Sequence, residues 1–243
     1  MTTHDEPEYR QSRFRPPPGA TRFLLIRHGE SAPARASSLF PLVGGQGDPE
    51  LAPDGRVQAD RIGARLAGKA TETTKTAQIT QTAEATETEA IDAIYVTTLR
   101  RTVQTAAPLA ERLGLEPVVE PDLREVHLGD WEGGLLRKHY AENHPVAQRL
   151  RTEQRWDIIP NAEAAEEFEA RVRGAIERLA AAHPDQRLAV FTHGGVIGQA
   201  LALASGSQPF AFVGADNGSI SEIVIAGQAW ILRRFNDTAH LTG

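Results

Sequence analysis

The chain has 243 residues, 40% of them hydrophobic, and a formal net charge of -6 at pH 7. That length suits one large α/β domain or two small ones, and the apolar content suffices for a sizeable core; one domain is favoured. The acidic balance argues against a nucleic-acid binder, which shows a basic face or stripe, and the absence of cysteine excludes disulfides, thiolate catalysis and Cys-based zinc sites.

Residues 1–20 mix charges with Arg15-Pro16-Pro17-Pro18-Gly19 and show no apolar periodicity, which predicts a flexible tail before a single domain over 21–243. They lack a signal-peptide hydrophobic segment, and no stretch of the chain is long and apolar enough to span a bilayer. The cytoplasm is therefore the expected location, with no membrane contact.

Phe23-Leu24-Leu25-Ile26 reads as a buried strand, and Gly29 then lets the backbone turn, so Arg27 and His28 emerge at its C-terminal edge. In an open α/β sheet that edge is where ligands bind. A cation and an imidazole delivered to one point suit an anionic substrate, with His28 as nucleophile or base.

Ser31–Leu51 is rich in glycine and proline and predicts a surface loop near that edge. Pro53 stands at a first helical position, and Ala59, Ile62, Gly63 and Leu66 share one face, predicting a helix over Pro53–Ala67. Thr71–Glu89 is a Thr/Glu/Ala/Gln tract with one branched apolar residue, Ile79, and predicts a surface insertion over 70–90.

Ile91–Val96 predicts a strand. Thr97-Thr98 can cap the next helix, whose core stripe is expected to be Val103, Ala106, Ala107, Ala110 and Leu113 up to Gly114, with Arg100 and Arg101 in its first turn. Leu115–Val119 predicts a short strand. Asp122–Gly133 is too charged for a core element and reads as a functional loop.

A helical region to about Leu150 is interrupted at Trp156–Pro160. Asn161 can cap a long helix striped by Phe168, Val172, Ala175, Ile176 and Leu179. Leu188–Thr192 is a second buried strand ending in His193-Gly194-Gly195, followed by an apolar helix over Val196–Ala204. Ile220–Ile225 and Trp230–Phe235 predict an antiparallel hairpin. The alternation implies βαβ units in a three-layer α/β/α sandwich, with a mostly parallel central sheet and an antiparallel edge.

Leu25-Ile26-Arg27-His28-Gly29-Glu30-Ser31 resembles the R-H-G-E-T signature of the histidine phosphatase superfamily, the phosphoglycerate mutase-like family. Three segments match it further, in the family's order. Thr98–Ala106 resembles its P-L-x-R-A-x-Q-T-A segment, Leu123–Gly133 its L-R-E-I-x-x-G-x-W-E-G segment, and Thr192-His193-Gly194-Gly195 its second-histidine turn. Gly47–Leu51 with Gly55 and Gln58-Ala59 resembles the intervening loop and helix start. Four ordered motifs are far more specific than any one.

The resemblance implies that His28 attacks phosphorus to give a phosphohistidine, that Arg27 and Arg101 grip the phosphoryl oxygens, and that His193 donates a further bond. It makes Glu125 the acid for the leaving oxygen and then the base for water, which calls for a carboxyl whose pKa is raised beside the anionic ligand. Glu30, Ser31 and Gly194 join Arg27 and Arg101 as expected substrate contacts. The spacing to Gln104-Thr105-Ala106 selects Arg101 over Arg100, and Glu125 stands among Asp122, Asp130 and Glu132 as rivals. His127 and Trp131 are expected to shape the pocket, and His139, His144, His183 and His240 to lie on the surface.

The sequence departs from the family in three places. Ala34 stands where Asn is frequent, Thr97-Thr98 replaces Ser-Pro, and Asn161-Ala162-Glu163-Ala164 replaces Gly-Gly-Glu-Ser. The Gly129–Gly133 segment resembles that of the phosphatase branch, so a phosphomonoester hydrolase is expected, with mutase-type transfer or a non-catalytic phospho-ligand binder as alternatives. Gly194–Gly198 lacks G-x-G-x-x-G spacing, and no P-loop or H-E-x-x-H motif occurs. No metal or cofactor is expected. The expected partner is a small phosphorylated substrate, and a homodimer is the assembly considered.

Overall fold

A computed structural model of the chain describes residues 9, 11–35, 37–68 and 90–242. The elements run β1 (Thr21–Arg27), β2 (Leu42–Val43), β3 (Gln46–Gly47), α1 (Pro53–Ala67), β4 (Ala93–Val96), α2 (Arg100–Leu113), β5 (Val118–Val119), α3 (Leu135–Ala141), α4 (Pro145–Glu153), α5 (Ala165–Ala182), β6 (Arg187–Thr192), α6 (Gly194–Ser205), β7 (Ile220–Ala226) and β8 (Ala229–Asp237). The main sheet has the order β5-β4-β6-β1-β7-β8. β5, β4, β6 and β1 are parallel, while β7 runs antiparallel to both β1 and β8. The expected mostly parallel sheet with an antiparallel edge pair is observed.

Side chains of a strand alternate between the two faces of its sheet, and these strands are apolar on both because helices cover both. Phe23, Leu25, Leu188 and Val190 pack with Phe168, Val172 and Ile176 of α5 and Val196 and Ile197 of α6. Leu24, Ile26, Ala189 and Phe191 face the other way, onto Ile62 and Leu66 of α1 and Ala106 and Leu109 of α2. Each fully buried Leu, Ile or Phe contributes about 1.5–3 kcal/mol. A satellite cluster of Trp131, Ala147, Leu150 and Ile159 gathers α4 and the Asp122–Gly133 loop beside the strand ends.

The α1 span is as expected, and its N-terminus presses on the turn after His28. A Cβ at Gly55 would overlap the backbone carbonyl of Glu30, so only glycine permits that approach. The α2 face differs from expectation. Val103 is exposed, and the buried positions are Arg101, Thr102, Thr105, Ala106 and Leu109. The helix is rotated because Thr102 and Thr105 satisfy buried backbone groups and Arg101 is turned towards the strand ends.

Neither proposed cap is used as expected. Leu99 is the residue preceding α2, though the Thr97 hydroxyl accepts from its N–H at 3.3 Å. Asn161 adopts the left-handed conformation, φ 61°, and donates to Asp130 across 2.9 Å, while α5 begins only at Ala165, with Glu166 and Glu167 favouring its positive end. Of the tail expected over 1–20, the described residues contain no helix or strand before Thr21, and Phe14 lies under the Arg233 guanidinium. The insertion expected over 70–90 falls outside the described residues except for Ala90. No helix among the described residues is long and apolar enough to cross a membrane.

Candidate active site

β1 and β6 are adjacent, parallel and in register, Arg27 opposite Thr192, so the residues that follow them emerge side by side. The His28 and His193 rings accordingly lie 5.3 Å apart, centroid to centroid. His28 is not the exposed strand end that its sequence position suggests: it is 6% exposed and His193 0%. Burial and the charges of Arg101 and Arg27 hold both rings well below the ordinary histidine value, so both are neutral at pH 7.

For His28 the hydrogen bond fixes which nitrogen carries the proton. His28 Nδ1 lies 2.7 Å from the carbonyl oxygen of Gly29, which can only accept, so Nδ1 is the protonated nitrogen and Nε2 keeps its lone pair. His193 Nε2 lies 3.0 Å from the Thr97 hydroxyl. The Thr102 hydroxyl donates to Leu99 O at 2.8 Å, so the single Thr97 proton has two acceptors in reach, Thr102 Oγ1 at 3.1 Å and His193 Nε2; donation to Nε2 makes His193 Nδ1 an N–H donor, the arrangement that an anion at Nδ1 selects. Among the described residues that buried Nδ1 has no partner, and neither does Arg27 Nε. The unpaired Arg27 donor and the His193 Nδ1, a donor in the second arrangement, stand beside a neutral imidazole lone pair and suit an anion.

Arg101 joins them. The residue is 8% exposed, and its guanidinium donates to Gly47 O at 2.9 Å and has its pKa pulled by burial down to about 10, still cationic at neutral pH. Arg100 instead pairs outward with Asp48, its Nε 3.2 Å from the carboxylate. Arg27, His28, Arg101 and Glu125 line one cavity of about 150 Å³, walled by Phe40, Val126, Leu128, Trp131 and Leu136.

The motifs act through backbone groups as much as through substrate-facing ones. Thr105 accepts from Gly29 N at 3.0 Å and Gln104 from Leu51 N at 2.8 Å, tying α2 to the His28 turn and to the end of the 31–51 loop. Ser31 and Leu51 pair across the base of that loop, so it returns to the site, where Gln46 donates to Glu125 O at 2.6 Å. The Glu125 carboxylate accepts from the amides of Val126 (3.0 Å) and Gly195 (3.2 Å).

The model of the histidine phosphatase superfamily, branch 1, matches residues 23–74 and 71–238. The chain belongs to this family. It is 29% identical over 226 residues to a metal-independent phosphoserine phosphatase of Arabidopsis thaliana, covering 91% of this chain and 84% of the relative. It is 25% identical over 225 residues to a protein of Yersinia enterocolitica described as a probable phosphoglycerate mutase, covering 90% and 94%. The native structure of a mycobacterial glucosyl-3-phosphoglycerate phosphatase superposes with a TM-score of 0.67 at 27% identity, covering 90% of this chain and all of that one, 100%.

In this histidine phosphatase the departures from the family pattern have structural counterparts. Thr97 supplies the hydroxyl that orients His193. Glu163, in the Asn161–Ala164 turn, accepts from His127 N at 3.1 Å and pairs with Arg171 at 2.6 Å, and Arg171 donates to the carbonyls of Asp122, Arg124 and Glu125. The turn thus clamps the backbone that presents Glu125. Ala34 lines a second, larger cavity.

Not every expected residue lines the cavity that holds His28. Ser31 accepts from Arg137 at 2.7 Å, and Glu30 and Ser31 line the larger cavity, while Gly194 packs against the Arg27 guanidinium. Trp131 walls the smaller cavity, and His127 sits under Gly45 of the β2–β3 hairpin. The four histidines expected on the surface are half-buried: His139 and His144 stack on Trp131, His183 bonds Tyr95, and His240 bonds Gly218. Arg137, Arg171 and Gln46 carried no sequence signal, since an arginine on a helix and a glutamine in a loop read as solvated residues.

Proposed function

We propose that this enzyme hydrolyses the phosphomonoester of a small metabolite through a phosphohistidine on His28. The neutral His28 ring, with its Nε2 lone pair set beside the buried, unpartnered Arg27 Nε and His193 Nδ1, is the observation that carries this reading. The Nε2 lone pair forms a bond to phosphorus as the bond to the leaving oxygen breaks. Arg27, Arg101 and His193 hold the equatorial oxygens, and Glu125 gives its proton to the leaving oxygen. Glu125 then takes a proton from water, whose oxygen attacks phosphorus, and the phosphorus–Nε2 bond breaks to release inorganic phosphate and neutral His28.

The named relatives support the substrate class, because phosphoserine and glucosyl-3-phosphoglycerate are both small phosphorylated metabolites. Residues 21–243 are read as one domain, supported by the single sheet running from β5 to β8. A cytoplasmic location and a homodimer belong to the same proposal; light scattering distinguishes a mass of 26.4 kDa from twice that.

Rapid quench tests the chemistry. Glu125→Gln should slow both half-reactions, an aryl phosphate suffering less than an alkyl one because its leaving group is already a good anion. An acid-labile, base-stable adduct should form on wild type and be absent from His28→Ala. Equal losses on both phosphates would remove Glu125 as the acid, and release to an acceptor alcohol in preference to water would make the enzyme a mutase.

A further inference from the structure

The catalytic cavity is the smaller of two that meet at Arg27, Gly134 and Arg137. The larger, of about 540 Å³, does not include His28 in its lining and is lined by four cationic side chains, Arg27, Arg35, Arg137 and Lys138, against one carboxylate, Glu30. A volume of that order holds a whole small ligand. Arg27 is committed to the phosphoryl group, so three cations remain that the phosphoryl reaction does not use.

Arg137 stands where the two cavities join. Its guanidinium donates to Ser31 Oγ at 2.7 Å and Ala32 O at 2.8 Å and lies over the Phe40 ring, 5.6 Å from the centroid. These contacts hold the planar fork in place and leave its other N–H donors for a ligand. Neither it, Arg35 nor Lys138 forms an ion pair among the described residues. Cations gathered in one cleft repel each other, and a low-dielectric wall focuses their field on whatever anion enters.

We propose that the larger cavity is a second anion subsite, in which Arg137, with Lys138 and Arg35 farther out, holds a carboxylate or phosphate on the leaving group of the substrate. The preferred substrate is then a phosphomonoester with a further negative group several bonds from the scissile oxygen. The inference rests on the phosphatase reading and adds to it a residue that selects the leaving group.

The test compares three substrates of matched aryl leaving group: a carboxymethyl-substituted aryl phosphate, its neutral methylamide, and the corresponding aryl bisphosphate. Wild type should favour at least one of the doubly anionic substrates over the methylamide by tenfold or more in kcat/KM, and the better of the two identifies the second anion. Arg137→Met should reduce that preference at least fivefold. Arg35→Met and Lys138→Met, whose side chains make no hydrogen bond among the described residues, should reduce it less, and they serve if Arg137→Met does not fold. A wild-type preference below tenfold overturns the proposal. So does a preference that survives Arg137→Met, or a variant that loses all three substrates alike. If wild type hydrolyses none of the three, the phosphatase reading fails and this inference falls with it.

Discussion

The backbone amide of Gly195 donates to Glu125 Oε2 across 3.2 Å, and a Cβ at position 195 would overlap Glu125 Oε1. The first turn of α6 therefore positions the proposed acid, and the absence of a side chain there is what makes room for it. Gly195→Ala should lower kcat at least tenfold, about 1.4 kcal/mol of barrier. The fold should tolerate the change, because the displaced atoms are the far end of a mobile side chain and Ala is a better helix former than Gly by about 0.8–1 kcal/mol. Kinetics paired with thermal unfolding checks this. A variant that unfolds many degrees earlier, or retains full activity, contradicts it.

Adjacent arginines at the start of α2 have opposite environments. Arg101 is buried in the cavity with His28, and Arg100, its side chain 46% exposed, pairs with the buried Asp48 outside that cavity. Arg101→Ala removes a preorganised cation from the developing charge and should lower kcat/KM by roughly 10²–10³-fold. Arg100→Ala should change it by less than about tenfold, since Arg100 does not line the cavity that holds His28. Steady-state kinetics on one aryl phosphate decides the order, and a reversed order would mean that Arg100 is the phosphoryl ligand.

His28 and His193 make stability depend on pH. Above the ordinary histidine value of 6.5 both rings are neutral in the folded and the unfolded chain, and no difference arises. As pH falls below 6.5, the unfolded chain takes up protons that the folded chain, with both values held well below 6.5, does not. Stability therefore falls with pH, by up to ~1.4 kcal/mol per pH unit for each ring, until the folded state itself protonates. Thermal unfolding followed from about pH 7.5 to 5 should show this decline, and it should be shallower in His28→Asn, which lacks one of the two rings. Equal slopes would show that folded His28 titrates near its unfolded value.

The sequence by itself determined the main elements and pointed to the residues proposed for the site. Apolar runs ending in Arg27-His28 and in His193-Gly194 are local patterns, and a strand buried on both faces tolerates little else. The α1 span and the α5 stripe from Phe168 to Leu179 follow from helical spacing alone. Four ordered motifs were enough to indicate the family. What the tertiary structure decided is everything that depends on which backbones lie side by side. The parallel register of β1 and β6 sets the two histidines 5.3 Å apart, and burial beside Arg101 keeps them neutral. The α2 face was misread because a buried threonine that bonds its own backbone looks polar in sequence, while an exposed Val103 looks like core. Arg137 and Arg171 were invisible for a related reason. Arginine on a helix is ordinarily solvated, and only long-range packing turns one into a clamp on the Glu125 loop and brings the other to the junction of two cavities.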